Sequence, residues 1–286
     1  MREDFAVFIL SNGRPNKVHT VNTLINQGYT GKYYIILDNE DSTIDDYILK
    51  FGQEHIVIFN KSEVANTFDM LDNFKNNKVV VYARNVCFDI AKKLNLNYFL
   101  ELEDDYTRFE VREESGIKLL TYKILDLDSI FNSMIEYLDE SDALTIAFSQ
   151  GGDMIGGVAG NMWQSKIKRK AMNSFFCKTS KPFTFIGRMN DDVNTYTTLG
   201  SRGELFMTIA DIDLIQVQTQ KDSGGNSQAY LEYGTYLKSW YSVMVMPSSV
   251  KISMMGDKHP RVHHLIDWET CVPKIISEKY RYGNNK

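Results

Sequence analysis

The amino-terminal part of the chain alternates between short apolar runs and longer stretches in which apolar residues recur every three or four positions. The runs predict strands at 4–10, 33–38, 55–59 and 98–102. The stretches between them predict helices at 15–27, 43–51 and 82–95. Strands that alternate with helices are typical of a doubly wound α/β sheet, mostly parallel, with helices on both faces.

The carboxy-terminal part has a less regular pattern. It predicts helices at 126–139 and 190–199, strands at 143–149, 173–178 and 182–187, and a strand–turn–strand unit at 242–256. The glycine-rich segment SQGGDMIGGVAGN predicts a flexible loop, either a lid over a ligand or an ordinary surface loop. No repeat or linker divides the chain, so the simplest organisation is a single domain over residues 1–286 with a mixed α+β second half.

Polar residues follow three of the predicted strands at the point where each strand ends. These segments are Ser-Asn-Gly-Arg at 11–14, Asp-Asn-Glu-Asp at 38–41 and Glu-Asp-Asp at 103–105. Doubly wound sheets bind ligands at the carboxyl ends of their strands. If the strands are parallel, all three segments lie at one edge, and this edge is the predicted site.

The composition is that of a soluble globular protein, with 43% hydrophobic and 24% charged residues. No apolar stretch approaches the ~20 residues of a membrane span, and the first residues do not resemble a signal peptide. The widely spaced cysteines, Cys87, Cys177 and Cys271, indicate a reducing compartment. We therefore expect a cytoplasmic protein with no membrane partner, and no obligate protein partner is evident. Only the terminal RYGNNK is expected to be disordered.

The formal net charge is −5, whereas a protein whose affinity came mainly from duplex phosphates is usually basic. Local patches matter more than totals, so DNA stays open as a transient substrate. The densest basic segment is KIKRK at 166–170, with Lys178 and Lys181 nearby. This segment is either a solvated face or part of a surface that grips an acceptor.

Three consecutive acids, Glu103, Asp104 and Asp105, follow the apolar run YFLEL. Unpaired buried carboxylates are costly or become protonated, so a cation is expected to meet them. Mg²⁺ and Mn²⁺ prefer hard oxygen ligands and keep substrate phosphates in their coordination shell. The cluster therefore predicts a divalent metal site, supported by Asp38 at another strand end. The alternative is an acidic strand end neutralised by lysines.

Two arginines are placed to meet an anion at the same edge. Arg14 lies in a strand-to-helix turn, and helix amino ends favour phosphates. Arg84 begins the predicted helix at 82–95 and is a second candidate for a phosphate, while Asn85 is a candidate for a base or ribose. A simple turn and a surface salt bridge are the corresponding structural alternatives.

A second acidic pair, Asp191 and Asp192, lies in GRMNDDVNTY. Either acid could act as a general base towards an acceptor hydroxyl, or the pair could simply cap the helix that follows. Further along, GDKHPRVHH contains His259, His263 and His264, and an imidazole is a suitable ligand for Mn²⁺. Among these histidines we favour His263.

The order of these motifs resembles that of a GT-A glycosyltransferase. Ser-x-Gly-Arg-Pro, a later strand that ends in Asp, Ala-Arg-Asn and a strand that ends in Glu-Asp-Asp follow one another over residues 9–105. The run FAVFILSNGRPNKVHTVNTLINQGYTGKYYIILDNED resembles the phage-encoded, TET-associated type. Those enzymes are associated with glycosylation of hydroxymethylated pyrimidines in phage DNA.

This resemblance implies a GT-A-like fold with a nucleotide-sugar-binding half at 1–110 and an acceptor-binding, catalytic half at 111–286. It implies Mn²⁺ or Mg²⁺ and a UDP-sugar donor, and an acceptor in DNA within the host cytoplasm. The metal ligands would be Glu103, Asp105 and His263, although the motif's first acid is Glu rather than Asp. The donor pocket would contain Ser11, Arg14, Asp38, Arg84, Asn85 and Asp104. Asp192, or Asp191, would be the base of an inverting enzyme.

Other functions fit parts of the same pattern. The acceptor could be a glycan, lipid or protein. A nucleotidyltransferase also ends its strands in carboxylates, and a non-catalytic nucleotide or DNA binder would need none of the acids. Trp163, Phe175 and Phe176 would stack on a flipped base if DNA is the acceptor, or would form core.

Overall fold

The computed structural model describes residues 1–74, 78–217, 236–255 and 260–271. A ten-stranded sheet runs through it in the order β3-β2-β1-β4-β9-β7-β10-β5-β6, with β8 paired to β10. The strands are β1 (Phe5–Leu10), β2 (Lys32–Asp38), β3 (Ile56–Phe59), β4 (Tyr98–Glu103), β5 (Tyr106–Ser115), β6 (Lys118–Lys123), β7 (Thr145–Ser149), β8 (Ile167–Lys168), β9 (Ser174–Lys178) and β10 (Phe206–Gln216). A separate hairpin joins β11 (Val250–Met255) to β12 (Arg261–Ile266).

Helices cover both faces of the sheet. They are α1 (His19–Asn26), α2 (Ile44–Phe51), α3 (Lys61–Val64), α4 (Val81–Lys93), α5 (Leu127–Ser141), α6 (Asn161–Ser165), α7 (Asp191–Ser201), α8 (Leu237–Val245) and α9 (Trp268–Cys271). Helices α1, α2 and α5 contribute to one apolar core, and α3, α4 and α7 contribute to the other. No helix among the described residues is long and apolar enough to cross a membrane.

The central strand β1 shows why this architecture forms. All of its residues are buried, and they divide by alternation between the two cores. Phe5, Val7 and Ile9 enter the core beneath α1 and α5, whereas Phe8 and Leu10 enter the core beneath α4. A continuous apolar strand is stable only when both of its faces are covered, and each large side chain contributes about 1.5–3 kcal/mol. The predicted α/β sheet with helices on both faces is confirmed.

Parallel pairing brings the polar strand ends together. β1 pairs in parallel with β2 and β4, and Leu10 stands beside Glu103 in the register. Asp38 ends β2 on the same edge. β7 and β10 run in the same direction as β4, because β9 is antiparallel to both β4 and β7. The convergence predicted from the sequence is therefore present.

Two sequence-based strands are wrong. No strand forms at 182–187, because Phe183 and Phe185 fill the core from an irregular segment. There the N–H groups of Phe185 and Ile186 donate to the side chains of Asn85 and Thr195 instead of to a strand. The first strand predicted within 242–256 is instead the end of α8, since a short apolar run fits either element.

Other elements differ in extent or were missed. The helix predicted over 15–27 is a 3₁₀ turn, Pro15–Lys17, followed by α1. The glycine-rich segment contains the 3₁₀ turns Gly151–Met154 and Gly157–Ala159. Sequence reasoning missed β5, β6, β10, β12 and α8. His259 and the terminal RYGNNK lie outside the described residues.

Gly28 lies where the turn after α1 packs closely against the segment before α5. Its φ is +84°, and a Cβ there would lie 2.3 Å from the carbonyl oxygen of Leu125. Gly116, in the turn between β5 and β6, has a φ of +63° and open space around it. We expect Gly116→Ala to lose about 1–2 kcal/mol of unfolding free energy from backbone strain alone. Gly28→Ala should lose about 1–3 kcal/mol more, because a backbone oxygen must move.

Urea denaturation of the two variants and the wild type measures this difference. Equal losses in both variants would contradict the close approach at Gly28.

Candidate active site

Ser11, Arg14 and Asp104 form one hydrogen-bonded group at the carboxyl ends of β1 and β4. Arg14 Nε donates to Asp104 Oδ2 at 2.8 Å, and Arg14 Nη2 lies 2.7 Å from Asp104 Oδ1. Ser11 Oγ also donates to Asp104 Oδ2. Tyr47 of α2, which sequence reasoning missed, lies 2.7 Å from Ser11 Oγ and accepts from the N–H of Arg14 at 3.0 Å. Three predicted donor-binding residues thus hold one another in place.

Asp38 has a different set of partners. Its Oδ1 accepts from the N–H of Glu40 at 2.9 Å, and its Oδ2 accepts from Asn12 at 2.9 Å. The Lys61 ammonium lies 3.5 Å from Asp38 Oδ2 and 3.3 Å from Glu40. Lys61 is buried, which is rare for a lysine unless it is paired. Sequence reasoning missed it, because nothing local marks a lysine at the start of a short helix.

Arg84 bridges the two acidic clusters. Its Nη2 lies 2.8 Å from Glu103 Oε1, and its Nε lies 2.9 Å from Asp191 Oδ2. The guanidinium is 2% exposed and lies over the ring of Phe175. The bridge shows that the ends of β4 and α7 form a single site. It also shows that the charge of Arg84 is already met by carboxylates, so any phosphate contact by this arginine stays a prediction.

Asp105 differs from Glu103 and Asp104, which pair with Arg84 and Arg14, because no described lysine or arginine forms a salt bridge with its side chain. Its Oδ1 is buried and has no hydrogen-bond partner among the described residues. Burial raises the pKa of Asp105, and together with the charges of Glu103 and Asp104 it brings that pKa to about 7. A carboxylate that is buried, unpaired and beside other acids suits a divalent cation. The residues present therefore fit the Mg²⁺ or Mn²⁺ predicted from the sequence.

Asp192 differs from its neighbour Asp191. Asp191 is paired with Arg84, whereas Asp192 Oδ1 accepts from the N–H of Val193 at 2.7 Å. Burial raises the pKa of Asp192, and the positive charges of Arg84, Lys238 and Lys170 oppose this rise. Asp192 is thus a carboxylate at the amino end of a helix with no direct salt bridge to an arginine.

The histidines lie on β12. The rings of His263 and His264 are 4.3 Å apart, and His264 Nδ1 lies 3.2 Å from the side-chain nitrogen of Asn190. Across the described ranges, no three histidine, cysteine or acidic side chains stand together as a metal site. Metal binding by His263 together with Glu103 and Asp105 therefore stays a prediction.

Asn85 bonds to the main chain with both ends of its amide. Its Nδ2 donates to the carbonyl of Phe185 at 3.0 Å, and its Oδ1 accepts from the N–H of Phe185 at 2.8 Å. The structure thus places this side chain in the packing of the irregular segment at 182–187. Contact with a base or ribose stays a prediction for Asn85.

The residues predicted from the sequence as candidates for contact with a DNA acceptor are buried or paired with acids. Trp163, Phe175 and Phe176 are at most 4% exposed and belong to core clusters, so the stacking hypothesis is wrong for them in this structure. Four lysines of the basic segment and its surroundings pair with nearby aspartates. These pairs are Lys166–Asp211, Lys170–Asp153, Lys178–Asp139 and Lys181–Asp142.

A sheet with acids and arginines at the carboxyl edge of its parallel strands is typical of α/β proteins that bind a ligand there. The family model for TET-Associated Glycosyltransferase matches residues 5–225, and the chain belongs to this family. It is a glycosyltransferase, and its α/β fold, with helices on both faces of the sheet, is the one predicted from the sequence. No curated protein matches the sequence.

Solved structures that are similar to this chain are remote. A mycobacterial protein is 5% identical with a TM-score of 0.46, over 92% of this chain and 84% of that chain. Glucosyl-3-phosphoglycerate synthase from Mycobacterium tuberculosis, in complex with Mg²⁺ and uridine diphosphate, is 6% identical with a TM-score of 0.46, over 92% and 88%. S. aureus TarS 1-349 is 9% identical with a TM-score of 0.40, over 86% and 66%. They assign no substrate and no residue role to this chain.

The raised pKa of Asp105 makes both stability and metal binding depend on pH. The folded pKa of about 7 lies above the unfolded value, so the folded state holds the proton more tightly. Without divalent cations, this contribution to stability is fully present below about pH 4 and is lost as the pH rises through about 7. We expect the melting temperature to fall over that window, and Asp105→Asn to reduce the fall.

Mn²⁺ should replace the proton, so its affinity should rise up to about tenfold per pH unit below pH 7. Calorimetric titration with Mn²⁺ at several pH values, beside thermal melts of both proteins, measures both effects. An Mn²⁺ affinity that is independent of pH in the wild type would contradict the assignment of Asp105.

Proposed function

We propose that this glycosyltransferase transfers a sugar from a UDP-sugar to the hydroxyl of a 5-hydroxymethylpyrimidine in DNA, with the help of Mn²⁺ or Mg²⁺. The observation that carries the proposal is the convergence of acids at one sheet edge in a chain of this family, where Asp105 Oδ1 is buried with no hydrogen-bond partner among the described residues. A donor diphosphate also needs positive charge, and a divalent cation supplies it to both groups.

The donor would lie along the carboxyl ends of β1, β2 and β4. Asp38, Asn12 and Lys61 form a polar group suited to a base or ribose, since they combine an acceptor with two donors. Ser11, Arg14 and Asp104 are already ordered by mutual bonds. A site built from ordered side chains loses little entropy when a ligand binds. Arg84 and Asn85 would contribute indirectly, because they contact the residues and main chain that surround the donor site.

The metal would be held by Asp105 and Glu103, with His263 as a proposed third ligand. When bound, it would neutralise the charge that develops on the departing diphosphate. Arg84 would hold Glu103 in place, because Arg84 Nη2 lies 2.8 Å from Glu103 Oε1.

Asp192 is the better candidate for the general base. Asp191 is held by Arg84, so a proton on Asp191 would weaken a buried ion pair. Among the described residues Asp192 has no such pair with an arginine, and burial raises the pKa of both acids towards the working pH of a base. It would take the proton from the acceptor hydroxyl while that oxygen bonds to the anomeric carbon and the bond to UDP breaks. Attack opposite to UDP would invert the configuration.

A hydroxymethyl group on a base projects into the major groove, so the acceptor can remain stacked. A phage origin, action in the host cytoplasm, and a division into a donor half at 1–110 and an acceptor half at 111–286 belong to the same proposal. The second candidate is a GT-A enzyme with a glycan, lipid or protein acceptor. It is favoured by the aspartates that pair with the lysines around 166–181, because they leave less positive charge for phosphates.

Mass analysis of DNA nucleosides tests the reaction. The protein is incubated with Mn²⁺, a mixture of UDP-sugars and DNA that contains 5-hydroxymethylpyrimidines, and the DNA is then digested. We expect a nucleoside heavier by a hexose or hexosamine, and we expect this product to disappear with chelator or with Asp105→Asn. UDP release with unchanged nucleosides would move the acceptor away from DNA. No UDP release at all would overturn the choice of donor.

The base assignment is tested with Asp192→Asn. The variant keeps the shape of the side chain and removes the base, so transfer should fall by about 10²-fold or more. Asp89→Asn, an exposed acid on α4, is the matched control and should keep the wild-type rate. Initial rates of UDP formation, with thermal melts to confirm folding, measure the effect. Transfer by Asp192→Asn near the wild-type rate would remove Asp192 from the mechanism.

A further inference from the structure

Asn190 connects the amino end of α7 to the carboxy-terminal elements. Its side-chain nitrogen lies 2.8 Å from the carbonyl of Lys238 and 3.1 Å from Ser242 Oγ, both on α8. The same nitrogen lies 3.2 Å from His264 Nδ1 on β12. One amide group therefore has acceptors in two elements distant from it in sequence.

The conformation of Asn190 shows that its side chain serves this connection and not the helix. A residue at the helix N-cap usually bonds to the N–H groups of the first turn, but the Asn190 side chain makes no capping bond. Its φ of 52° lies in the left-handed region, which asparagine tolerates better than most residues. This backbone turns the amide outward, towards α8 and β12.

The partners of Asn190 are themselves fixed. Ser242 is buried and donates its hydroxyl hydrogen to Asn194 Oδ1 at 3.0 Å. Asn194, also buried, donates to the carbonyls of Ile186 and Met189. His264 Nδ1 lies 3.2 Å from the amide nitrogen of Asn190, within hydrogen-bond distance. The network thus joins α7 to α8 and β12 through polar side chains and main-chain carbonyls.

We infer that Asn190 is a positioning residue: its side-chain amide holds the amino end of α7 against α8 and β12, and thereby holds Asp192 at the reacting hydroxyl. The inference rests on the proposed function for the role of Asp192. Asp192 follows Asn190 by two residues, so a shift of the first turn of α7 moves its carboxylate directly. A displacement of about 1 Å in a reacting group can reduce a rate by about 10²-fold.

Asn190→Gly removes the side-chain amide without straining the backbone, because glycine adopts a positive φ at no cost. Any effect of the variant can then be assigned to the lost amide. Asn95→Gly is the matched control, since Asn95 is an exposed asparagine with a φ of 54° that follows α4. We expect kcat for transfer to fall at least tenfold in Asn190→Gly, while KM for the donor stays within about twofold. His264→Phe should lower kcat in the same direction, and the double variant should be no worse than Asn190→Gly.

Amide hydrogen exchange gives a second measurement that needs no activity. Peptides that cover 190–199 should exchange at least about tenfold faster in Asn190→Gly than in wild type or Asn95→Gly, while peptides from α4 should not change. Unchanged exchange at 190–199 would overturn the inference, whether or not the protein transfers a sugar.

The two measurements separate the possible failures. Faster exchange with an unchanged kcat would also overturn the inference, because Asn190 would then have a structural role only. Wild-type protein without transfer would count against the proposed function, and hydrogen exchange would still decide whether Asn190 orders the end of α7. Faster exchange, reduced kcat and an unchanged KM together would support it.

Discussion

The site depends on one buried ion-pair bridge, in which Arg84 contacts Glu103 and Asp191. Without a cation between them, two carboxylates could not be buried at the ends of β4 and α7 without taking up protons. Removing one partner of such a buried pair costs about 3–5 kcal/mol, because an unpaired charge remains. Arg84 therefore joins the end of β4 to the amino end of α7 at the carboxyl edge of the sheet.

The acids of the site differ in environment more than in chemistry. Asp104 is held by Arg14 and Ser11, and Asp191 is held by Arg84. Among the described residues, Asp105 Oδ1 has no hydrogen-bond partner, whereas Asp192 Oδ1 accepts from the N–H of Val193. Groups of one chemical type can serve different roles when their partners differ. Under the proposed function, Asp105 would bind the metal and Asp192 would take the proton of the acceptor.

The carboxy-terminal elements complete this arrangement from the other side of α7. α8 and β12 contact the amino end of α7 through Asn190, and Trp268 of α9 stacks on Tyr196 of the same helix. The amino end of α7 is thus contacted from two sides, by Arg84 through Asp191 and by α8 and β12 through Asn190.

Much of the fold and the membership of the site could be read from the sequence, because these features are local. Apolar runs and their polar ends gave β1, β2 and β4, their common edge and the acids at 103–105. Pairings between distant residues, such as Arg84 with Asp191 and Lys61 with Asp38, had no local signal. The burial of Trp163, Phe175 and Phe176, which the sequence left as candidates for stacking, had none either. The sequence by itself determined which side chains reach the carboxyl edge, since strand ends and helix starts are marked by short patterns. Only the tertiary structure decided which acid receives a cation and which does not, because a buried charge is set by neighbours that packing brings from elsewhere in the chain.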